Sequence, residues 1–162
     1  MSSDRNPQVR SAVGKEILVQ DVMSREVLSV EKFASVLSVA SILADKNISG
    51  LPVVDKESQV IGIVTQADIL SMVGVRKEHT FKDLLKHMLG EPLVERRSGD
   101  IVADIMTAPA LTTSPETDLA EVAQVMDEKK IRRLPVVDGK KKLVGIISRA
   151  DILKAVLRKL KK

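Results

Sequence analysis

Leu51-Pro52-Val53-Val54-Asp55 returns 83 residues later as Leu134-Pro135-Val136-Val137-Asp138. Each copy is a short β-branched run closed by an acid, the composition of a buried strand that ends in a turn. Extending the same offset outward aligns residues 19–70 with 102–153 without a gap, and about a third of the pairs are identical, the signature of an internal duplication. Gly62 meets Gly145, and Ala67-Asp68-Ile69-Leu70 meets Ala150-Asp151-Ile152-Leu153. The chain therefore holds one supersecondary unit twice.

Upstream of each strand, Val36, Val39, Ala40 and Leu43 recur at i, i+3, i+4, i+7, and Leu119, Val122, Ala123 and Met126 do the same. That spacing predicts one amphipathic helix per copy. Ser35 is the expected cap of the first, while Asp118 with Glu121 spells a capping box for the second, just after the helix-compatible Pro115. Downstream, Val60–Val64 and Leu143–Ile147 read as second buried strands. Asp138-Gly139 is a tight-turn signal, so each strand pair is expected to be a hairpin. A further helix is expected to open at Thr65 in one copy and Ser148 in the other, the latter carrying Ile152, Val156 and Leu160 on one stripe with Lys and Arg around it. With Val27–Val30 and Ala110–Thr113 as first strands, each copy reads strand-helix-strand-strand-helix. About 50 residues is near the lower limit for an independent core, which predicts that the copies pack sheet against sheet as one α+β domain with pseudo-twofold symmetry.

The expected segments are an extension at 1–16, a first repeat at 17–73, a connecting helix and linker at 74–100, a second repeat at 101–157 and a basic tail at 158–162. In the connector Phe81, Leu84, Leu85, Met88 and Leu89 share one helix face that Gly90 and Pro92 end, and Glu95 to Asp100 reads as flexible linker.

Composition removes several function classes. With 44% hydrophobic residues the chain is not a disordered one, and without Cys it has no disulfide, thiolate zinc site, iron–sulfur cluster or Cys nucleophile. The N-terminus lacks an apolar signal core and no apolar run approaches the ~18 residues of a spanning helix, so a cytoplasmic protein with no membrane insertion is expected. Two Phe with no Tyr or Trp remove the stacking platforms of single-strand nucleic-acid binders. The formal charge is +4, but Lys154, Arg158, Lys159, Lys161 and Lys162 lie together at the acid-free C-terminus, leaving 21 basic against 22 acidic residues elsewhere. The charge belongs to one tail rather than to a binding face. His79 and His87 lack a third ligand nearby, so no metal site is expected. No nucleophile-base-acid set, Walker loop or GxGxxG is present, which argues against an enzyme.

The recurring motifs carry a resemblance. They are Asp21-Val22-Met23 and Asp104-Ile105-Met106, the LPVVD strands, Gly62-Ile63-Val64-Thr65-Gln66-Ala67-Asp68, and Gly145-Ile146-Ile147-Ser148-Arg149-Ala150-Asp151. Each copy resembles a cystathionine-β-synthase (CBS) domain, and the tandem, over residues 17 to 157, resembles a CBS pair or Bateman module. The resemblance implies two β-α-β-β-α repeats in one CBS-pair module. It also implies a regulatory protein without catalysis that binds adenosine-containing ligands between the repeats, acts as a homodimer and signals to a protein effector the sequence does not identify.

The chemistry of Thr65-x-x-Asp68 and Ser148-x-x-Asp151 can be weighed apart from the family. Taken alone, each is first of all an acid-ended capping box. Each also places a hydroxyl beside free N–H groups at a positive helix end, suited to phosphate, and a carboxylate able to accept both hydrogens of a ribose diol. The resemblance implies ribose and phosphate contacts at both, with adenine pockets of backbone and aliphatic groups that cross between repeats. Ala110, Leu111, Ile131, Arg132 and Arg133 are then expected to serve Asp68, and Leu28, Ile48, Ser49 and Gly50 to serve Asp151. Because Arg132-Arg133 supplies guanidinium groups and Ser49-Gly50 none, the Asp68 site is expected to prefer the more highly charged nucleotide.

The ligand expected is AMP, ADP or ATP, with no cofactor required and Mg²⁺ left open. S-adenosylmethionine would keep the ribose contacts without the arginines, and a dimerisation scaffold would need no ligand. Nucleic-acid binding through the tail and Lys140-Lys141-Lys142 ranks below these.

Overall fold

The computed structural model describes residues 17–73, 89–90 and 100–161. The connecting helix predicted over 81–89 and the linker at 95–100 lie almost wholly outside the described residues, as do His79 and His87. The element order is α1 (Val19–Val22), β1 (Val30–Glu31), α2 (Val36–Lys46), β2 (Gly50–Val54), β3 (Val60–Thr65), α3 (Gln66–Val73), α4 (Val102–Ile105), α5 (Leu119–Lys129), β4 (Arg133–Val137), β5 (Leu143–Ser148) and α6 (Arg149–Leu160). This is the mixed α+β pattern that the periodicities predict, twice.

The chain divides into two compact units that do not follow the repeat boundaries. One takes the described residues up to Leu28, Glu57–Val60 and those from Ala110 onward; the other takes Ser29–Lys56 and those of Ile61–Pro109. Each has its own core. In the first, Val19 and Met23 from the N-terminal lead-in pack with Leu119, Val122, Met126, Leu134, Val136, Ile147 and Ala155. In the second, Val102 joins Val30, Val39, Leu43, Leu51, Val53 and Val64. The short lead-in helix of each repeat is thus buried in the core built around the other repeat's sheet. A unit too small to close its own core is completed in this way, and each fully buried aliphatic side chain contributes about 1.5–3 kcal/mol.

Glycine makes the docking possible. Ser24 and Ile146 exchange both backbone hydrogen bonds at 2.9 Å, and a Cβ on Gly145 would lie 2.7 Å from Met23 Sδ and 2.9 Å from Ser24 O. The second unit repeats the device. Thr107 and Ile63 exchange bonds of 2.9 and 3.0 Å, and a Cβ on Gly62 would stand 2.9 Å from both Met106 Sδ and Thr107 O. The matched Met23 and Met106 are therefore plugs seated on matched glycines.

In the Asp68-bearing unit, β1, β2 and β3 form a sheet in that order, with β1 parallel to β2 through Val30–Val53 and Glu31–Val54. The first strand is shorter than the Val27–Val30 reading. In the other unit β4 and β5 form the expected antiparallel pair, with a bulge between Val136 and Val137. Ala110–Thr113 contributes a single parallel bridge, Thr113 to Val136, instead of a strand.

Two local expectations are corrected. Asp118 sits at the N-cap of α5 but its side chain makes no cap bond, because Glu121 N–H, the donor that a capping carboxylate would take, bonds Asp118 O at 3.1 Å instead. The lead-in holds the same helix end from outside, with Ile17 O accepting Leu119 N–H at 2.9 Å. The β4–β5 turn is not built on a left-handed glycine: Lys141 N bonds Asp138 O, and the left-handed residue is Lys141, φ 64°. Asp138 Oδ1 accepts Lys140 N–H and Lys142 N–H at 2.8 and 3.0 Å, and these two donors hold its carboxyl below the usual carboxylate pKa. Ser35, by contrast, caps α2 as predicted, accepting Ser38 N–H at 3.1 Å.

Both long helices end left-handed, α2 at Asn47 (φ 52°) and α5 at Lys130 (φ 56°). Asn tolerates this conformation and Lys does not favour it. Lys130→Asn, which copies the first repeat, is expected to raise stability by about 0.5–1 kcal/mol in chemical denaturation. The lost Lys130–Asp127 ion pair, long at 3.8 Å and exposed, subtracts little. A variant no more stable than the parent would refute this account of the αL cap.

Candidate functional site

Each repeat's last strand runs straight into its last helix, and the junction carries the predicted chemistry. Thr65 N–H and Oγ1–H both donate to Asp68 Oδ2, at 2.8 and 3.1 Å, and Asp68 N–H returns to Thr65 Oγ1 at 3.3 Å. Ser148 and Asp151 repeat this at 2.9, 3.0 and 3.2 Å. The capping-box reading is therefore correct, and both acids are half-buried.

The cap does not exhaust the carboxylate. Every hydrogen bond that either acid accepts among the described residues falls on Oδ2. Among the described residues, Oδ1 of Asp68 and of Asp151 accepts no hydrogen bond and stands at the head of a helix, where negative charge is stabilised. One oxygen holds the helix start, and the other is available to an incoming donor such as a hydroxyl.

The unit that holds Thr65 and Asp68 also holds Ile48, Ser49 and Gly50. Gln66 ties them together: its N–H donates to Ser49 O at 2.9 Å and its Nε2 to Ile48 O at 3.1 Å. The unit that holds Ser148 and Asp151 holds Leu28, Ala110, Leu111, Ile131, Arg132 and Arg133. There Arg149 does the tying, through its N–H to Arg132 O at 2.9 Å and its Nε to Ile131 O at 3.1 Å. Sequence reading missed Gln66 and Arg149, although the residue after each cap hydroxyl was in plain view; their role depends on which carbonyls lie within reach.

Two further features bear on ligand chemistry. Leu28 and Leu111 occupy equivalent positions and are 48% and 49% exposed, so each repeat presents an apolar side chain that its core leaves uncovered. Burial, and secondarily the charge of Arg132, push the Arg133 guanidinium below its ordinary pKa.

A cavity of about 530 Å³ lies elsewhere in the same unit, lined by Thr113, Ser114, Glu121, Val122, Leu134 and Asp138 among others. None of the predicted contact residues lines it, and the arrangement of donors and acceptors at the caps is the stronger guide. No group of metal-ligating side chains occurs among the described residues, and no described helix is long and apolar enough to cross a membrane.

Comparison with known proteins identifies the family of the repeats. The CBS domain family matches residues 19–75 and 102–158. The crystal structure of CBSX2 in complex with AMP is similar at 30% identity and a TM-score of 0.71, covering 90% of this chain and 98% of that one. The CBS domain pair of protein MJ0100, in complex with 5-methylthioadenosine and S-adenosyl-L-methionine, is similar at 28% identity and a TM-score of 0.64, covering 85% and 98%. Among curated proteins, an uncharacterized protein of Methanocaldococcus jannaschii is 36% identical over 91% of this chain and 34% of its own length. The chloroplastic CBS domain-containing protein CBSX2 of Arabidopsis thaliana is 31% identical over 80% of this chain and 58% of its own length. The chain thus spans from a third to rather more than half of these two relatives.

Proposed function

This chain belongs to the CBS domain family, and from that premise we propose that it is a non-catalytic regulatory module that senses adenosine-containing ligands, with AMP, ADP or ATP as the ligand. The observation that carries the reading is the twin cap in which Asp68 and Asp151 spend one carboxylate oxygen on the helix and keep the other. A ribose diol is a matched donor pair for such an oxygen. The relative that holds AMP supports the nucleotide.

The proposed contact residues are Thr65, Asp68, Ser148 and Asp151 for ribose and phosphate, with Leu28, Ala110, Leu111, Ile48, Ser49, Gly50 and Ile131 as aliphatic and backbone surface. Arg132 and Arg133 supply charge for phosphates. No cofactor or metal is required for this role. A second ligand class, S-adenosylmethionine or 5-methylthioadenosine, is favoured by the MJ0100 domain pair that holds both; it uses the ribose contacts and not the arginines. A cytoplasmic location goes with either, since both are intracellular metabolites.

Titration calorimetry with adenosine, AMP, ADP, ATP and S-adenosylmethionine tests the proposal. Saturable binding is expected, with affinity rising with phosphate number. Arg132→Ala with Arg133→Ala is expected to remove that rise, about tenfold for ATP, and to leave adenosine unchanged. No binding of any of the five by the folded protein would overturn the sensor reading in favour of a scaffold.

We also propose a homodimer. On α6, Leu153, Leu157 and Leu160 are all more than half exposed and share one stripe. Ile152, Ala155 and Val156 face the core instead, so Leu160, exposed, parts from the Ile152 and Val156 with which it is expected to share a stripe. Leu70 on α3 matches Leu153 and is equally bare. Leu153→Glu with Leu157→Glu is expected to sediment as a monomer where the parent sediments as a dimer; a parent that is itself monomeric would sink the proposal.

A further inference from the structure

The repeats are alike in backbone at the helix start and differ in the side chain that secures it. Gln66 and Arg149 are equivalent, and both send the backbone N–H 2.9 Å to the carbonyl of Ser49 or Arg132. Both side chains also reach the preceding carbonyl, of Ile48 or Ile131, at 3.1 Å. Arg149 alone makes a further bond, from its Nη2 to Met126 O at 3.2 Å. Met126 closes the last turn of α5, where its carbonyl also accepts Ile131 N–H at 3.1 Å. One guanidinium therefore staples the end of α5, the turn into β4 and the start of α6.

The turn it staples is Ile131-Arg132-Arg133. A planar fork with two bonds in fixed directions constrains that turn more than one amide bond does. The positive charge also lies at the negative end of α5, where it is favoured. Arg133 is partly desolvated and feels the charge of Arg132, so the turn holds two like charges close together at an energetic cost. The first repeat has no such problem, since Ser49-Gly50 carries no charge and Gln66 suffices.

Resting on the nucleotide reading above, we infer that Arg149 is a positioning residue that fixes the turn carrying Arg132 and Arg133, and that this makes the unit containing them selective for polyphosphate over uncharged adenosyl ligands. Arg149 acts through the turn and needs no contact with the ligand.

The chain supplies its own control, because Arg149→Gln installs the residue that the other repeat uses with the same backbone geometry. In the ligand-free full-length protein, amide exchange at Ile131–Leu134 and in the last turn of α5 is expected to rise in Arg149→Gln, while Ile48–Leu51 stays as in the parent. Unchanged exchange at Ile131–Leu134 would overturn the positioning role. In titrations with adenosine, AMP and ATP, Arg149→Gln is expected to keep adenosine affinity within about twofold and to cut the ATP-to-adenosine affinity ratio about tenfold. Arg149→Lys, which keeps the charge and loses the fork, is expected to behave like Arg149→Gln. An equal fall for all three ligands would mean a merely structural residue, and a ratio rescued by Lys would mean a charge effect; either overturns the inference. If the parent binds none of the three, the nucleotide reading fails and selectivity with it, while exchange still decides whether Arg149 positions the turn.

Discussion

Asp68→Ala combined with Asp151→Ala is expected to weaken adenosine and AMP binding by the same factor, at least about tenfold, in a protein that still folds. A hydrogen bond to a charged group contributes about 1.5–3 kcal/mol net, and at tenfold per 1.4 kcal/mol the loss of the Oδ1 contact alone reaches that size. The factor is equal for the two ligands because the carboxylate is assigned to the ribose they share. Folding survives at a cost of about 1 kcal/mol per cap, since the backbone bonds from Gln66 to Ser49 and Arg149 to Arg132 remain. Thr65→Ala with Ser148→Ala removes the hydroxyl half of each cap and leaves the acids, so it should match the double Asp variant in thermal stability and, with the hydroxyls assigned to phosphate, weaken AMP more than adenosine. Adenosine affinity unchanged in the Asp variant, measured by calorimetry, would reduce both motifs to helix caps.

Gly145→Ala and Gly62→Ala should each destabilise the fold by about 1–3 kcal/mol, the usual cost of overpacking a tight contact. The added methyl meets two atoms of different mobility. Met23 Sδ is the end of a flexible side chain and can swing away. Ser24 O cannot, because Ser24 donates to and accepts from Ile146 at 2.9 Å in each direction. The lead-in must therefore shift as a whole, loosening Val19 and Met23 in the core. Met23→Ala added to Gly145→Ala is expected not to restore the midpoint of denaturation. Restoration would show that the thioether, not the backbone approach, makes glycine necessary.

The repeat, the helix faces, the second strands and the Ser35 cap were all legible in the sequence, because each is written in local spacing. The two capping boxes were legible too, though only the bond distances show that they use a single oxygen of each acid. The Asp118 box failed for a reason that spacing does not carry: the donor it should satisfy, Glu121 N–H, bonds the backbone carbonyl of Asp118 instead of its carboxylate. The Asp138-Gly139 turn failed more narrowly. Asp138 does organise it, but the positive φ falls on Lys141, a residue type that no turn rule selects.

By itself the sequence determined that the chain is a duplicated α+β unit of CBS type with a hydroxyl–acid pair at each strand-to-helix junction, since duplication, periodicity and motif are properties of order along the chain. Only the tertiary structure decided that the lead-ins are exchanged between cores, that Gly62 and Gly145 exist to admit a backbone carbonyl, and that Arg149 reaches three elements where Gln66 reaches two. Those are facts about which atoms lie within about 3 Å of one another. Side chains of the same repeat position differ in reach and charge, and the carbonyls available to each are set by the fold.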